Sequence, residues 1–193
     1  MANTVNKVNP TKMVTGVCRL SYANIWQAKS INGGAPKFST SVLIPKSDTK
    51  TVAKVKAAIQ AAYEEGESKL KGNSKSVPSL ASLKTPLRDG DIERPDDAAY
   101  AGHWFLNAKS NTAPGVVDAN REPIYETSEI YSGVYARVSL SFYAFNSNGS
   151  RGIACGLQNI QKVRDGESLG GKAKAEDDFD DDFKPDESED FLK

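Results

Sequence analysis

The feature that most constrains the fold of this chain is an alternation of apolar and polar side chains over residues 134–145. Every second residue from Val134 to Ala144 is apolar, and side chains two residues apart project from the same face of a β-strand. One face of this strand therefore lies on a hydrophobic core. The opposite face carries Tyr135, Arg137, Ser139, Ser141, Tyr143 and Phe145.

Other segments predict further strands and a single helix. Apolar and β-branched residues indicate strands at 13–22, 37–45, 102–110, 115–118, 132–146 and 151–163, and the turn before residue 151 predicts a hairpin. Residues 48–71 have apolar side chains at helical spacing and end near Gly72, which predicts an amphipathic helix. Residues 73–99 contain three prolines and no regular period. This pattern favours a mainly β fold, a small barrel with one helix, over a parallel α/β sheet.

The charge is divided unequally along the chain. Of 25 basic and 25 acidic residues, two basic and ten acidic residues lie in 176–193, so residues 1–175 have a net charge of +8. A basic body with an acidic tail indicates a polyanion binder that carries its own competitor, although a solvated surface with a solubility tail is an alternative.

The composition also predicts three regions. We expect a flexible arm at 1–11, a binding domain at 12–165, and a disordered linker and acidic tail at 166–193. The tail contains three aromatic residues that a merely solubilising segment would not need, and we interpret them as anchors for a partner protein: Phe179, Phe183 and Phe191.

Aromatic and basic side chains on the solvent face of a sheet suit the binding of single-stranded nucleic acid, because bases stack on rings and phosphates pair with cations. In strand 102–110 we expect Trp104, Leu106 and Ala108 to point inward and His103, Phe105, Asn107 and Lys109 to point outward. The predicted phosphate contacts are Arg19, Lys37, Lys109, Arg137 and Arg151. The predicted base-stacking residues are Tyr22, Trp26, Phe105, Tyr135 and Tyr143, although cross-strand packing is an alternative for each aromatic.

Catalysis has little support in the sequence. The chain has no phosphate-binding loop, nucleophile elbow, HExxH or kinase motif. The acidic stretch 88–97 could serve a metal-dependent nuclease, but no histidine or second acidic cluster inside the fold supports it. We therefore predict no enzymatic activity, no cofactor and no metal.

The cysteines and the termini predict the cellular compartment. Cys18 and Cys155 lie far apart in strand-like segments, which favours buried free thiols in a reducing compartment. The first residues lack a signal-peptide pattern, and no apolar run approaches the length of a membrane span. We expect a cytoplasmic protein without a membrane partner.

Several blocks together resemble a known family. "GVCRLSYANIW", "KFSTSVLIPKS", "TPLRDGD", "FLNAKS", "SGVYARVSLSFYAF" and "GLQNIQKVRDGESLGG" are similar to phage and prophage single-stranded DNA-binding proteins, long catalogued as a domain of unknown function. The resemblance covers residues 12–171. It implies an oligonucleotide-binding (OB) fold, sequence-tolerant binding of single strands, and an acidic tail that engages replication or recombination proteins.

Two features depart from this family pattern. The usual OB order places a helix between the third and fourth strands, whereas the predicted helix follows the second predicted strand. Related tails often end on phenylalanine, whereas this one ends "DFLK", so Phe183 is an alternative to Phe191 as the anchor.

Two other functions remain open at this point. One is an interaction scaffold with a basic body, and the other is a duplex DNA or RNA binder. Aromatic residues on a sheet favour single-stranded DNA, because binding through phosphates alone needs no stacking groups. The oligomeric state is left open.

Overall fold

The computed structural model describes residues 8–170. Its strands are β1 (Lys12–Val14), β2 (Cys18–Lys29), β3 (Lys37–Pro45), β4 (Arg88–Asp89), β5 (His103–Ser110), β6 (Gly115–Val117), β7 (Tyr135–Ser147) and β8 (Ser150–Arg164). Its helices are α1 (Thr49–Glu65), α2 (Glu67–Lys71) and α3 (Gly90–Glu93). Single 3₁₀ turns lie at Leu80–Ser82, Ala98–Tyr100 and Thr127–Glu129.

Five strands close the sheet into a ring. β2 pairs with β3, β3 with β5, and β7 with both β2 and β8, all antiparallel. A parallel pairing of β5 with β8, at Lys109 and Gly156, completes the ring. The short strands β1, β4 and β6 extend β7, β5 and β8. The predicted mainly β fold is confirmed.

The alternation along β7 sets the core. Its apolar residues are buried and meet the inward residues of the other ring strands, among them Leu20, Val42, Leu106 and Ile160. Trp104 also packs against this cluster, as predicted. Helices α1 and α2 lie against β7, and α1 adds Val55, Ile59 and Ala62 to the same cluster. Burying each large aliphatic side chain stabilises the fold by roughly 1.5–3 kcal/mol.

Both ends of α1 are fixed by specific contacts. Asp48 accepts hydrogen bonds from the Thr51 hydroxyl at 2.6 Å and the Thr51 backbone N–H at 3.1 Å, which lower the pKa of the Asp48 carboxyl. Gly16 donates its N–H to the Thr51 hydroxyl at 2.9 Å, which ties the β1–β2 connection to the helix. At the other end, a β-carbon on Gly66 would lie 2.2 Å from Ala144 Cβ, so only glycine fits there.

The structure corrects the predicted order of elements. The single strand expected at 13–22 is two strands, β1 and β2, and β2 continues to Lys29. The helix expected over 48–71 is divided at Gly66 into α1 and α2. Helix α1 therefore follows β3, the third strand of the chain. Because β1 and β4 are not part of the closed ring, α1 lies between its second and third strands, β3 and β5. In the described part of the chain, no helix has the length and apolar character needed to span a bilayer.

Candidate nucleic-acid interface

Three adjoining clefts form a groove on the outer face of the ring. The largest, of about 610 Å³, lies between the bulged part of β2, the outer face of β3 and β5, and the loop that carries Arg94. The others have volumes of about 340 and 250 Å³. Lys109 lines all three clefts, and Lys37 and Asn107 each line two, so the clefts are continuous. We call the residues that line them the groove.

The groove is positively charged. Among its described lining residues are six basic side chains and no acidic one: Lys29, Lys37, Lys84, Arg88, Arg94 and Lys109. Arg88 pairs with Glu93, and Arg94 lies 3.5 Å from Asp97. The four lysines form no ion pair with residues 8–170. Their charge is available to an anionic ligand.

Two of the basic residues reach the groove because a long connection lies beside β8. The Lys84 carbonyl accepts a hydrogen bond from the Ile153 N–H at 2.9 Å. A β-carbon on Gly152 would lie 2.3 Å from that carbonyl oxygen, so glycine allows the close approach. The connection then continues into β4, which pairs with β5 and brings Arg88 to the same cleft. The irregular segment at 73–99 is therefore part of the candidate site.

Three aromatic side chains line the groove: Tyr22, Tyr143 and Phe145. Tyr143 is 50% exposed. Its cross-strand neighbour is Ala154, and its ring lies near Gly156, so small residues leave the ring uncovered. A half-exposed ring between lysines can stack on a base while the lysines contact the adjacent phosphates.

Tyr22 lies on a β-bulge at the other end of the groove. β2 has one more residue than β3 between the pairs Ser21–Ser41 and Asn24–Ser39. Tyr22 lies in this bulge and has a φ of +48°, which is unusual for an aromatic residue. The residue is 57% exposed.

Most carboxylates of the acidic stretch 88–97 make ion pairs or hydrogen bonds within the chain. The Lys46 ammonium donates to Asp89 and to Asp91, each at 2.7 Å, and these bonds lower the pKa of both carboxyls. Asp97 caps the 3₁₀ turn by accepting from the Ala99 N–H. Within residues 8–170, no group of three or more potential ligands is arranged to hold a metal ion.

Sequence reasoning missed Arg94 because it considered this stretch only for its carboxylates. Arg94 Nη2 donates to the Tyr22 hydroxyl at 2.8 Å. The same guanidinium lies over the ring of Tyr100, which is buried. An arginine directly before a proline inside the acidic stretch was the only available signal in the sequence. Lys29, Lys84, Arg88 and Phe145 were also missed.

Four of the predicted contact residues line the groove: Tyr22, Lys37, Lys109 and Tyr143. Phe105 does not, and this prediction was wrong, because the side chain is only 2% exposed. It projects from the predicted face, but Tyr100 covers it edge-on at 5.0 Å between ring centroids and Arg88 lies over the ring. Tyr100 thus completes a second small core on the outer face, together with Leu43 of β3 and Phe105 of β5.

The other predicted contacts lie outside the groove linings. Trp26 packs against the core, and its indole N–H donates to the Ile130 carbonyl at 3.1 Å. Arg137 donates to the Thr15 carbonyl and to the Gln161 side chain. The guanidinium of Arg151 lies near Gly72. The Arg151 carbonyl faces the Lys84 N–H. Arg19 and Tyr135 lie under the chain that follows β8.

Residues 165–169, which we call the strap, cross the body over Gly133. Arg19 donates to the Glu167 carbonyl at 2.7 Å, and the Leu169 N–H donates to the Ser132 carbonyl at 2.9 Å. A β-carbon on Gly133 would lie 2.0 Å from the Glu167 carbonyl oxygen, so the two backbones are in direct contact. The Tyr135 ring is covered in consequence, with Arg19 and Arg164 over it and Gly166 against its edge.

An ion cluster fixes the start of the strap. The Lys162 ammonium pairs with Asp165 at 2.8 Å and with Glu129. Burial opposes the charge on Lys162, but the hydrogen bonds to both carboxylates outweigh it and raise the pKa of the amine. The Tyr131 hydroxyl also donates to Asp165 and accepts from the Gly166 N–H. The predicted linker thus begins with residues that are held on the body.

A closed, mainly β sheet with a basic and aromatic groove on its outer face defines an OB-like protein. Such a groove suits a single-stranded nucleic acid, because cations can contact its phosphates while aromatic rings stack on its bases. The family model described as "Enterobacter phage Enc34, ssDNA-binding protein" matches residues 11–192. The chain belongs to this family, and the resemblance seen in its sequence is confirmed.

Individual relatives agree with this assignment. "Putative protein p50" of Acyrthosiphon pisum secondary endosymbiont phage 1 is 31% identical over 172 residues, which cover 84% of this chain and 89% of that protein. The single-stranded DNA-binding protein of bacteriophage Enc34, solved in complex with ssDNA, superposes with a TM-score of 0.68 at 24% identity, covering 83% of this chain and 90% of that one. For gp2.5, a single-stranded DNA-binding protein encoded by bacteriophage T7, the TM-score is 0.58 at 14% identity, with 84% and 97% covered. At these identities the two structures establish the shared fold.

Proposed function

We propose that this protein binds single-stranded DNA along the groove, with little sequence preference. The observation that carries the proposal is a continuous groove lined by six basic and three aromatic side chains, with no acidic residue among the lining residues. In this proposal Lys29, Lys37 and Lys109 contact phosphates, and Tyr22 and Tyr143 stack on bases. Stacking tolerates any sequence because every base has a π-face.

Exposed rings favour a single strand over a duplex. In a duplex the faces of the bases are already stacked on one another, so Tyr22 and Tyr143 would gain little from contact with it. Lysines alone would bind either form through the phosphates. Membership of the Enc34 family, whose description names single-stranded DNA binding, supports the same choice.

The wider role extends the proposal to parts of the chain outside the described residues. The three phenylalanines of the tail, Phe179, Phe183 and Phe191, lie there. We expect the tail to recruit replication or recombination proteins, with the strap holding the segment that precedes it on the body. The protein would act without catalysis, in the cytoplasm of the host, while phage DNA is copied or recombined.

A direct test is fluorescence anisotropy with labelled oligo-dT, a mixed-sequence DNA strand, the matching duplex and an RNA strand, each at two salt concentrations. We expect both DNA strands to bind similarly, the duplex and the RNA more weakly, and all affinities to fall steeply with salt. Tyr143→Ala should weaken binding. Tyr125→Ala is the matched control, since Tyr125 is 85% exposed and does not line the groove.

The alternatives predict different results. Equal affinity for duplex and single strand would identify a general DNA binder. Tighter binding to RNA would identify an RNA-binding protein. No binding to any of the four would leave the interaction scaffold as the function. Equal effects of the two tyrosine variants would show that the groove is not the binding surface.

A further inference from the structure

Arg94 lies between two tyrosine rings at one end of the groove. Its guanidinium carbon is 4.8 Å from the ring centroid of Tyr100 and 5.4 Å from that of Tyr22. Nη2 also donates to the Tyr22 hydroxyl at 2.8 Å. Tyr100 is 1% exposed and forms part of the second small core, whereas Tyr22 is 57% exposed. Arg94 therefore connects a fixed ring to an exposed one.

Tyr22 needs this support because little else holds it. The residue is on a bulge with φ of +48°, a conformation that bulky side chains rarely adopt. More than half of its surface is in solvent, so packing restrains the ring only weakly. A hydrogen bond to the hydroxyl and a cation over the ring face both depend on orientation, and together they restrict the side chain.

The contacts of Arg94 are with groups of this chain. Nη2 bonds the Tyr22 hydroxyl and lies 3.5 Å from the Asp97 carboxylate. Lys29 and Lys109 line the same cleft and form no ion pair with residues 8–170, so they can supply positive charge for a phosphate there. The arginine and the lysines thus have different surroundings within one cleft.

We propose that Arg94 is a positioning residue, which holds the Tyr22 ring over the groove so that a DNA base can stack on it, and that it does not contact a phosphate itself. This inference rests on the proposed function. A side chain that is ordered before binding loses less freedom when the ligand arrives, so Arg94 would strengthen binding entirely through Tyr22.

A double-mutant cycle separates this role from a direct contact. Tyr22→Ala, Arg94→Ala and the double variant are titrated with labelled oligo-dT by anisotropy. We expect Arg94→Ala to weaken binding by about three- to tenfold, and the double variant to bind like Tyr22→Ala, because Arg94 has no effect once the ring is absent. Losses that multiply in the double variant would overturn the proposal.

The salt dependence gives a second readout. Each phosphate contact to a single strand contributes about 0.7 to the slope of log affinity against log salt. We expect Arg94→Ala to leave this negative slope unchanged, whereas Lys109→Ala should make it shallower. Arg94→Lys retains the charge but loses the planar group between the rings, so it should bind as weakly as Arg94→Ala. A shallower slope in Arg94→Ala that Arg94→Lys restores would show a phosphate contact and overturn the proposal.

Tyr22→Phe keeps the test valid if Arg94→Ala disturbs the second core. It removes only the hydroxyl that Arg94 bonds, and we expect binding about two- to threefold weaker with an unchanged melting temperature. Wild-type affinity in Tyr22→Phe would overturn the proposal. Failure of the wild-type protein to bind oligo-dT would instead overturn the proposed function, and with it this inference.

Discussion

Tyr135 and Tyr143 project from the same face of β7, but Tyr143 is half exposed whereas Tyr135 is partly covered. Arg164 lies 4.0 Å from the ring centroid of Tyr135, and the strap closes over it at Gly166. Tyr143 is half exposed in the groove. The two residues are eight positions apart, about 26 Å along a strand. One strand face thus serves two purposes, structural at one end and binding at the other.

This difference predicts opposite effects of two alanine substitutions. Tyr143→Ala should weaken DNA binding by about 1–3 kcal/mol, because one base loses its stacking partner. The melting temperature should be nearly unchanged. Tyr135→Ala should instead lower the melting temperature and leave DNA affinity nearly unchanged. Anisotropy and thermal unfolding measure the two effects. The reverse pattern would show that DNA binds where the strap lies.

The groove lysines should set the salt dependence of binding. Lys37→Ala and Lys109→Ala should each make the negative slope of log affinity against log salt shallower by about 0.7, since each removes one phosphate contact. Lys54→Ala, on the exposed face of α1, removes the same charge away from the groove and is the control. Titrations across a salt series measure the slopes. Equal slopes in all three variants would place the DNA elsewhere.

The crossing of the strap over Gly133 should be sensitive to one added carbon. Gly133→Ala places a β-carbon 2.0 Å from the Glu167 carbonyl oxygen at a φ of +115°, and should destabilise the fold by about 1–3 kcal/mol. Gly149→Ala is the matched control, because φ is also positive there but nothing lies within 4 Å. Urea unfolding compares the two. A Gly149→Ala loss as large as that of Gly133→Ala would mean that backbone strain alone is responsible.

The cap of α1 should make stability depend on pH. Asp48→Ala should lower the free energy of unfolding by about 1 kcal/mol at neutral pH. Because folding lowers the pKa of Asp48, this contribution is present above the unfolded pKa of about 3.9 and is lost as pH falls through the folded pKa. Wild type and variant should therefore converge in acid. Asp48→Asn caps without ionising, so its advantage over alanine should not change with pH, and a constant gap for wild type would contradict the assignment.

Deletion of the tail should tighten DNA binding. Residues 176–193 carry a net charge of −8, and their removal leaves a body of +8. A tethered acidic segment competes with DNA at an effective concentration on the order of millimolar. The gain should be largest at low salt, where the Debye length is about 30 Å. Unchanged affinity at low salt would reduce the tail to a solubility device.

The phenylalanines of the tail can be separated from its charge. Changing Phe179, Phe183 and Phe191 to serine keeps every carboxylate, so the competition with DNA should remain. Recruitment of a replication protein should be lost, because apolar anchors supply most of the affinity of such contacts. Pull-down from phage-infected cells compares this variant with wild type, and retained recruitment would show that charge alone suffices.

Local patterns in the sequence predicted most of the strands, the main helix and the positive charge of the body. The alternation along 134–145 identified the core face of β7, because side chains of a strand point to opposite sides with a period of two. The same reasoning placed Trp104 and Leu106 inward. The ordered set of sequence blocks also identified the family, since those blocks depend on residue identity and not on packing.

Only the tertiary structure decided which outward-facing side chains remain uncovered by other segments of the chain. Phe105 and Tyr135 face outward as predicted, yet a loop covers the first and the strap covers the second. Arg94 and Lys84 come from an irregular connection, and their places depend on contacts with β5 and β8. Strand periodicity is a property of neighbouring residues, whereas the covering of a face depends on segments far away in the chain, whose paths no local pattern encodes.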